Sequence, residues 1–394
     1  MKVSQIVYTR PDKQAVLDKL NELRQRFDNA KSVEEFLAIH EEYKAYSIAL
    51  DTNMRIAFIR FTQDTRDEFY AAEKDYLDEI GPEISVANAE VARCYLTSPF
   101  RSELEKRFPR IMFVNLQMGV DAADPRIVED RVEENKVTTA YTKLMSGITI
   151  DFDGEKLTMA GIGKYFTSPD RDLRKRAVYA WGQAIEDNKQ QLDEIYDKLV
   201  KIRTRMGRKL GYEGFAPLGY LQMQRNCYNR EDIAKFRANV LKYLVPLATK
   251  IRNKVGKDLG IDKQYYFDNS IFTVDEPKPI GTPEEMFDNA SRMYNEMSEE
   301  TGKLFDTMRQ SECFDVMSRE GKWGGGYCEG LPEYKLPFIL ANWNGSAGGG
   351  GGLSPEGCRS LRMSSVTRSN FTNHSSSTAS FSAAFPWKRQ KCTA

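Results

Sequence analysis

Apolar residues recur at helical spacing through most of the first 310 positions. Val16, Leu20, Leu23 and Phe27 are separated by four, three and four residues, the spacing of one helix face. Pro11 stands ahead of them where a first-turn proline would. Ser32 and Glu35 give the S-x-x-E pattern of a capping box before Phe36, Leu37, Tyr43 and Tyr46. Residues 66–80 and 83–107 read as charged amphipathic stretches, with Pro82, Pro99 and Pro109 as the breaks.

The period changes at 147–167. Ile148 to Leu157 alternates around Asp153-Gly154, the signature of a β-hairpin with a tight turn. Ser168-Pro169-Asp170 then opens a long helical segment through Val178, Trp181, Ile185, Leu192, Ile195, Leu199 and Ile202, ending near Gly211. Asn229 caps a helix through Phe236, Val240, Leu244 and Leu247. Thr282-Pro283-Glu284-Glu285 starts another, with proline in the first turn. After Ser311 the segments Phe314–Met317, Gly324–Cys328 and Pro337–Trp343 are short, aromatic and punctuated by Gly and Pro. They read as strands or loops with a turn near Pro332-Glu333.

Composition narrows the class. Lys+Arg and Asp+Glu are both 57 of 394 residues, so net charge gives no reason to expect a nucleic-acid partner. Charged residues at 29% and hydrophobic ones at 41% fit a folded chain. The balance shifts from residue 346 onward, where six basic residues meet one acid, Glu356, within a five-glycine run and a Ser-rich stretch. Six scattered cysteines without C-x-x-C spacing read as reduced thiols in a cytoplasmic protein. No signal peptide and no membrane span are expected.

The chain contains two histidines, His40 and His374. His40-Glu41-Glu42-Tyr43-Lys44 begins like the zinc helix H-E-x-x-H, but Lys44 stands where the second histidine should ligate. This segment therefore reads as a solvated helix face. Gly324-Gly325-Gly326-Tyr327 offers a second candidate. Three glycines allow another backbone to approach, and an adjacent edge strand could pair with an extended peptide. A triple glycine also reads as a tight turn or loop.

The segment from Met317 through Gly-Gly-Gly-Tyr-Cys (324–328) to Asn-Trp-Asn-Gly (342–345) resembles the stretch before the zinc helix in the oligoendopeptidase F branch of the thimet-oligopeptidase-like metallopeptidases. Arg171–Ala177 with Ala180-Trp181, Leu192–Arg203, Lys209–Tyr212 and Gly281–Phe287 agree with that family, so the likeness covers about residues 1–345. The resemblance implies a mainly α fold with a small antiparallel β element around 314–343, like the front part of a zinc oligopeptidase. It implies cytoplasmic hydrolysis of short peptides by water activated on zinc. It also suggests an N-terminal helical domain over 1–145, the first part of a catalytic domain over 146–345, and an aberrant, disordered tail over 346–394.

The tail departs from the family. An ungapped reading sets Leu353–Arg359 on the zinc motif, with Pro355 and Arg359 at the histidine positions and Glu356 alone retained as the catalytic glutamate by position. No Asp or Glu follows Glu356. The five glycines each disfavour helix by about 1 kcal/mol relative to alanine. The tail reads as corrupted or truncated coding sequence. The expectation is a chain that binds no zinc, is inactive, and exposes apolar surface where the rest of the fold would pack. A non-catalytic peptide-binding or scaffold protein on the same helical body is the alternative. Substrate preference and oligomeric state are not legible.

Overall fold

The computed structural model of the protein describes residues 1–274 and 281–346. The chain order is α1 (Lys13–Asn29), α2 (Val33–Gln63), α3 (Glu68–Thr97), α4 (Arg101–Arg107), α5 (Arg110–Ala122) and α6 (Val128–Gly147), then the strands β1 (Thr149–Phe152) and β2 (Glu155–Thr158). Helices α7 (Arg171–Asp187), α8 (Lys189–Lys209), α9 (Phe215–Gln222), α10 (Arg230–Asn239), α11 (Val245–Asp258), α12 (Pro283–Met297) and α13 (Glu299–Gln310) follow. The strands β3 (Phe314–Met317), β4 (Tyr327–Leu331) and β5 (Leu336–Trp343) close the described chain.

The α1 face read from spacing is buried, whereas the face from Phe236 to Leu247 is exposed. Val16, Leu20, Leu23 and Phe27 of α1 pack with Phe36, Ile39 and Tyr43 of α2 and with Val91, Ala92 and Tyr95 of α3. Capping explains the starts. Ser32 Oγ accepts from Glu35 N at 3.1 Å, while the Glu35 carboxylate accepts from Lys31 N. Asn229 with Asp232, and Thr282 with Glu285, form reciprocal capping boxes. Pro11 lies one residue outside the expected first turn, because Asp12 is the N-cap and accepts from Ala15 N at 2.8 Å.

Pro82 is not a break. Helix α3 runs through it from Glu68 to Thr97, because packing against α1, α5 and α6 outweighs the local cost. The segment after Pro169 does divide, at Asn188 between α7 and α8. It ends at Gly211, whose φ of +87° is the left-handed conformation glycine favours. Helices α10 and α11 are joined without a loop by a π-helical turn, Val240–Leu244, in which Val245 N donates to Val240 O. The wider turn precedes Pro246, which has no N–H to continue the α ladder.

The hairpin is as its sequence suggests. Phe152 faces Glu155, and Asp153 and Gly154 both have positive φ, 55° and 79°, as a two-residue turn of this hand requires. The second sheet has the order β3-β5-β4. The expected antiparallel element is the β4–β5 pair, Tyr327 opposite Leu340 through Leu331 opposite Leu336. Strand β3 adds a parallel partner on the other side. This sheet, α13 and the residues Val3, Ile6, Ile56 and Ile59 share one core, so α2 is built into both the N-terminal bundle and the sheet.

Candidate functional site

The sheet and the loop leading into β4 hold a buried, hydrogen-bonded polar constellation. Lys322 organises it. The residue is 2% exposed, and its Nζ donates to the carbonyls of Asp315 (2.9 Å), Met317 (2.9 Å) and Ala341 (2.6 Å) and to Asp315 Oδ1 (2.7 Å). Burial pushes the Lys322 amine down to about 8, against the opposing pull of Asp315. Burial also works against the Asp315 charge, but the bonds from Arg319 and Lys322 outweigh it and hold that carboxyl at about 2. Both groups are therefore charged at neutral pH.

Arg319 completes the anchor. It grips both Asp315 oxygens at 2.7 and 2.8 Å and donates to Gln63 O at the end of α2 at 2.8 Å. Trp323 N donates to Thr62 O, and Thr65 N donates to Gly321 O. The loop from 318 to 326 is thus laced to the C-terminal end of α2 before it enters the sheet.

The glycines have a structural reason. Asn342, buried on β5, donates through Nδ2 to Trp323 O at 2.8 Å and Gly325 O at 2.7 Å. A Cβ on Gly325 would lie 2.3 Å from the Trp323 ring, whereas one on Gly324 would meet nothing within 4 Å. Gly324–Gly326 is accordingly a tight loop, and β4 begins at Tyr327. The Tyr327 side chain turns inward. Its hydroxyl shares a 2.6 Å hydrogen bond with Thr62 Oγ1, and its ring packs on Phe58 and Trp323.

The sheet register fixes which backbone groups face outward from β4. Gly330 is opposite Pro337, which has no N–H, and Cys328 is opposite Ile339, whose N–H donates to Cys313 O on the far side. These are therefore the non-hydrogen-bonded pairs of the antiparallel ladder. Residues 328 and 330 direct their peptide groups away from β5, and the Gly330 N–H donates to the Glu329 carboxylate at 3.3 Å. Among the described residues no strand pairs with that side of β4.

His40 is elsewhere, and the expectation of a solvated face fails for it. The ring is 1% exposed inside the N-terminal bundle, against Phe108, with Nδ1 sharing a 2.8 Å hydrogen bond with the Tyr95 hydroxyl. Burial lowers its pKa to about 4, so the imidazole is neutral. Position 40 faces inward because it lies one turn from Phe36 on the apolar side of α2.

Among the described residues no group of three His, Cys, Asp or Glu side chains is placed to hold a metal ion. Glu356, His374 and the rest of the expected tail from 347 onward lie outside the described residues. The sequence signal missed Lys322, Asp315 and Asn342. A lysine among glycines reads as exposed, and it is the α2 end and the carbonyls of β3 and β5 that enclose it.

Comparison with known proteins places this fold among peptidases. The sequence model of the Peptidase M3 N-terminal domain matches residues 3–123, and that of Peptidase family M3 matches residues 165–353. The chain belongs to peptidase family M3. Within that family it falls in the oligoendopeptidase F branch. One solved structure assigned as an oligoendopeptidase F is 36% identical with a TM-score of 0.87, over 88% of this chain and 62% of that one. PZ peptidase A, solved with an inhibitor, is 36% identical with a TM-score of 0.88, over 92% of this chain and 65% of that one. A protein assigned as an oligoendopeptidase F from Bacillus anthracis str. Ames is 33% identical with a TM-score of 0.86, over 88% of this chain and 64% of its own. The chain thus spans somewhat under two thirds of the length of these structures. No curated protein matches it. M3 peptidases are zinc-dependent, and the described residues do not supply a donor set that fits zinc. No helix among the described residues is long and apolar enough to cross a membrane.

Proposed function

We propose that this chain binds short peptides in extended form along the outer side of β4 and does not itself hydrolyse them. The observation that carries this reading is the outer side of β4, with which no other described strand pairs. Such a side takes a peptide by main-chain hydrogen bonding, which gives affinity with little dependence on sequence. Gly326 and Gly330 carry no side chain that would hinder the approach, and the Lys322–Asp315–Arg319 anchor keeps the strand fixed. Peptide hydrolysis is the business of the family, and PZ peptidase A was solved with an inhibitor. Hydrolysis here would need zinc ligands. His40 is locked in the N-terminal core, and Glu356 lies beyond residue 353, where the family match ends.

The division into 1–145 and 146–345 is supported by the separate matches over 3–123 and 165–353. Cytoplasmic residence belongs to the same proposal and rests on the scattered cysteines. The test uses the full chain, a mixed pool of short peptides and calorimetry, followed by zinc loading and a quenched fluorescent peptide. Micromolar binding with no chelator-sensitive turnover is expected. Absence of binding, or clear chelator-sensitive cleavage, would overturn the reading.

A further inference from the structure

A cavity of about 270 Å³ lies where α3, α5 and α6 meet the end of α9. Helices α3 and α5 belong to the stretch matched by the M3 N-terminal domain, and α9 to the stretch matched by the peptidase domain. Junctions of this kind are where small ligands bind preferentially. The volume is too small for a peptide segment and suits a single metabolite. Two hydrogen-bond donors on its wall lack good partners. Gln222 Nε2 is buried and has no hydrogen-bond partner, a costly state for an amide until something accepts from it. Arg131 makes no hydrogen bond among the described residues. The acid it pairs with, Glu134, is 3.9 Å away, and the other oxygen of Glu134 is held by Arg203 at 2.7 Å.

The same wall offers acceptors. Helices α5 and α9 both end at the cavity, at Ala122 and Gln222, and helix C-termini carry partial negative charge that favours a cation. Asp124 lines it too. Its carboxylate takes three bonds from Arg126, at 2.8, 2.9 and 2.7 Å, of about four that a carboxylate can accept. The remaining lining is largely apolar, with Val86, Ile127 and Leu221. Donors for an anion, acceptors for a cation and an apolar wall in one small cavity describe a zwitterion with a hydrocarbon side chain. A simple anion would leave the acceptors and the apolar wall unmatched, and a simple cation would meet Arg131. We propose that this cavity binds a free amino acid with an apolar side chain. Arg131 and Gln222 take its carboxylate, and Asp124 and the two helix ends take its ammonium group. The site is separate from the outer side of β4, and the proposal does not rest on peptide binding there.

The experiment titrates the full chain with L-leucine, L-leucinamide, 4-methylpentanoate and inorganic phosphate by calorimetry. Leucine should bind one to one and raise the melting temperature. Leucinamide, which lacks the carboxylate, and 4-methylpentanoate, which lacks the ammonium group, should each bind about tenfold or more weaker, the loss expected for one charged hydrogen-bonding group. Arg131→Met should weaken leucine by about tenfold or more on the same ground, with the ligand-free melting temperature unchanged, because Glu134 keeps Arg203. Gly119→Leu is the second variant. Gly119 lines the cavity, and a Cβ there would meet nothing within 4 Å, so the new side chain has room to fill the space without strain. It should abolish leucine binding and melt no lower than the parent chain, since leucine is the better helix former. If leucine does not bind, the proposal fails. It also fails if phosphate or leucinamide binds as tightly as leucine, or if both variants keep the parent affinity.

Discussion

Asn135 Nδ2 donates a 3.0 Å hydrogen bond to the main-chain carbonyl of Asp78, the acceptor that Pro82, four residues on in α3, cannot use. A proline inside a helix leaves one carbonyl without its partner, and here α6 provides the replacement. The Asp78 side chain binds the same helix, accepting from Thr139 Oγ1 at 2.6 Å. The proline and the contact between α3 and α6 are therefore coupled.

Asn135→Ala should destabilise the protein by about 1–2 kcal/mol, the cost of leaving a buried carbonyl unsatisfied. In a Pro82→Ala background the same change should cost clearly less, because the helix then satisfies the carbonyl itself. Denaturant melts of the four proteins in a double-mutant cycle measure this, and additive effects would refute the coupling.

Lys322→Met removes the cation that holds three carbonyls and the Asp315 carboxylate together. Asp315 keeps Arg319, but the carbonyls of Asp315, Met317 and Ala341 lose their shared donor. A loss of about 3 kcal/mol is expected, with weaker peptide binding as the strand loosens. Lys322→Arg should not rescue it, because a guanidinium does not fit a pocket shaped for one ammonium. Thermal melts and calorimetry on both variants check the pair.

His40 makes stability depend on pH in a defined window. The unfolded chain takes up the proton near 6.5, whereas the folded chain resists until about 4. Between those values the unfolded state holds more protons, so stability falls as the pH drops from 6.5 to 4. The loss amounts to about 3 kcal/mol at the order-of-magnitude level. His40→Gln, which can still bond the Tyr95 hydroxyl, should flatten the profile in that window.

Asp268 acts in a lower window. It is buried with Arg174, 3.0 Å from its guanidinium, and accepts from Arg171 at 2.9 Å and Tyr265 N at 3.0 Å. Burial works against its charge, but the two arginines and the Tyr265 N–H hold its carboxyl at about 2. Its contribution is present above about pH 4 and is lost as the pH falls through 2. Asp268→Asn should cost about 3–5 kcal/mol at neutral pH, because Arg174 is left buried without a counter-charge. Arg174→Met with Asp268→Leu should recover much of that loss.

The sequence by itself determined the local elements. The spacing of Val16, Leu20, Leu23 and Phe27 put one face of α1 in the core, Asn229 and Thr282 set helix starts, and Asp153-Gly154 set the hairpin turn. These are decided by neighbours a few residues away, through periodicity, capping and backbone conformation. The Gly-Gly-Gly-Tyr-Cys to Asn-Trp-Asn-Gly block likewise carried the family resemblance. Tertiary structure decided what lies across the fold. Pro82 passes through α3 because Asn135 waits on α6. His40 is a neutral core residue because Tyr95 and Phe108 enclose it. Gly325 is small for the Trp323 ring, and Lys322 is buried because α2 and β5 close over it. In each case the deciding atom belongs to a residue tens or hundreds of positions away, or to a packed ring, and no local pattern reports its distance.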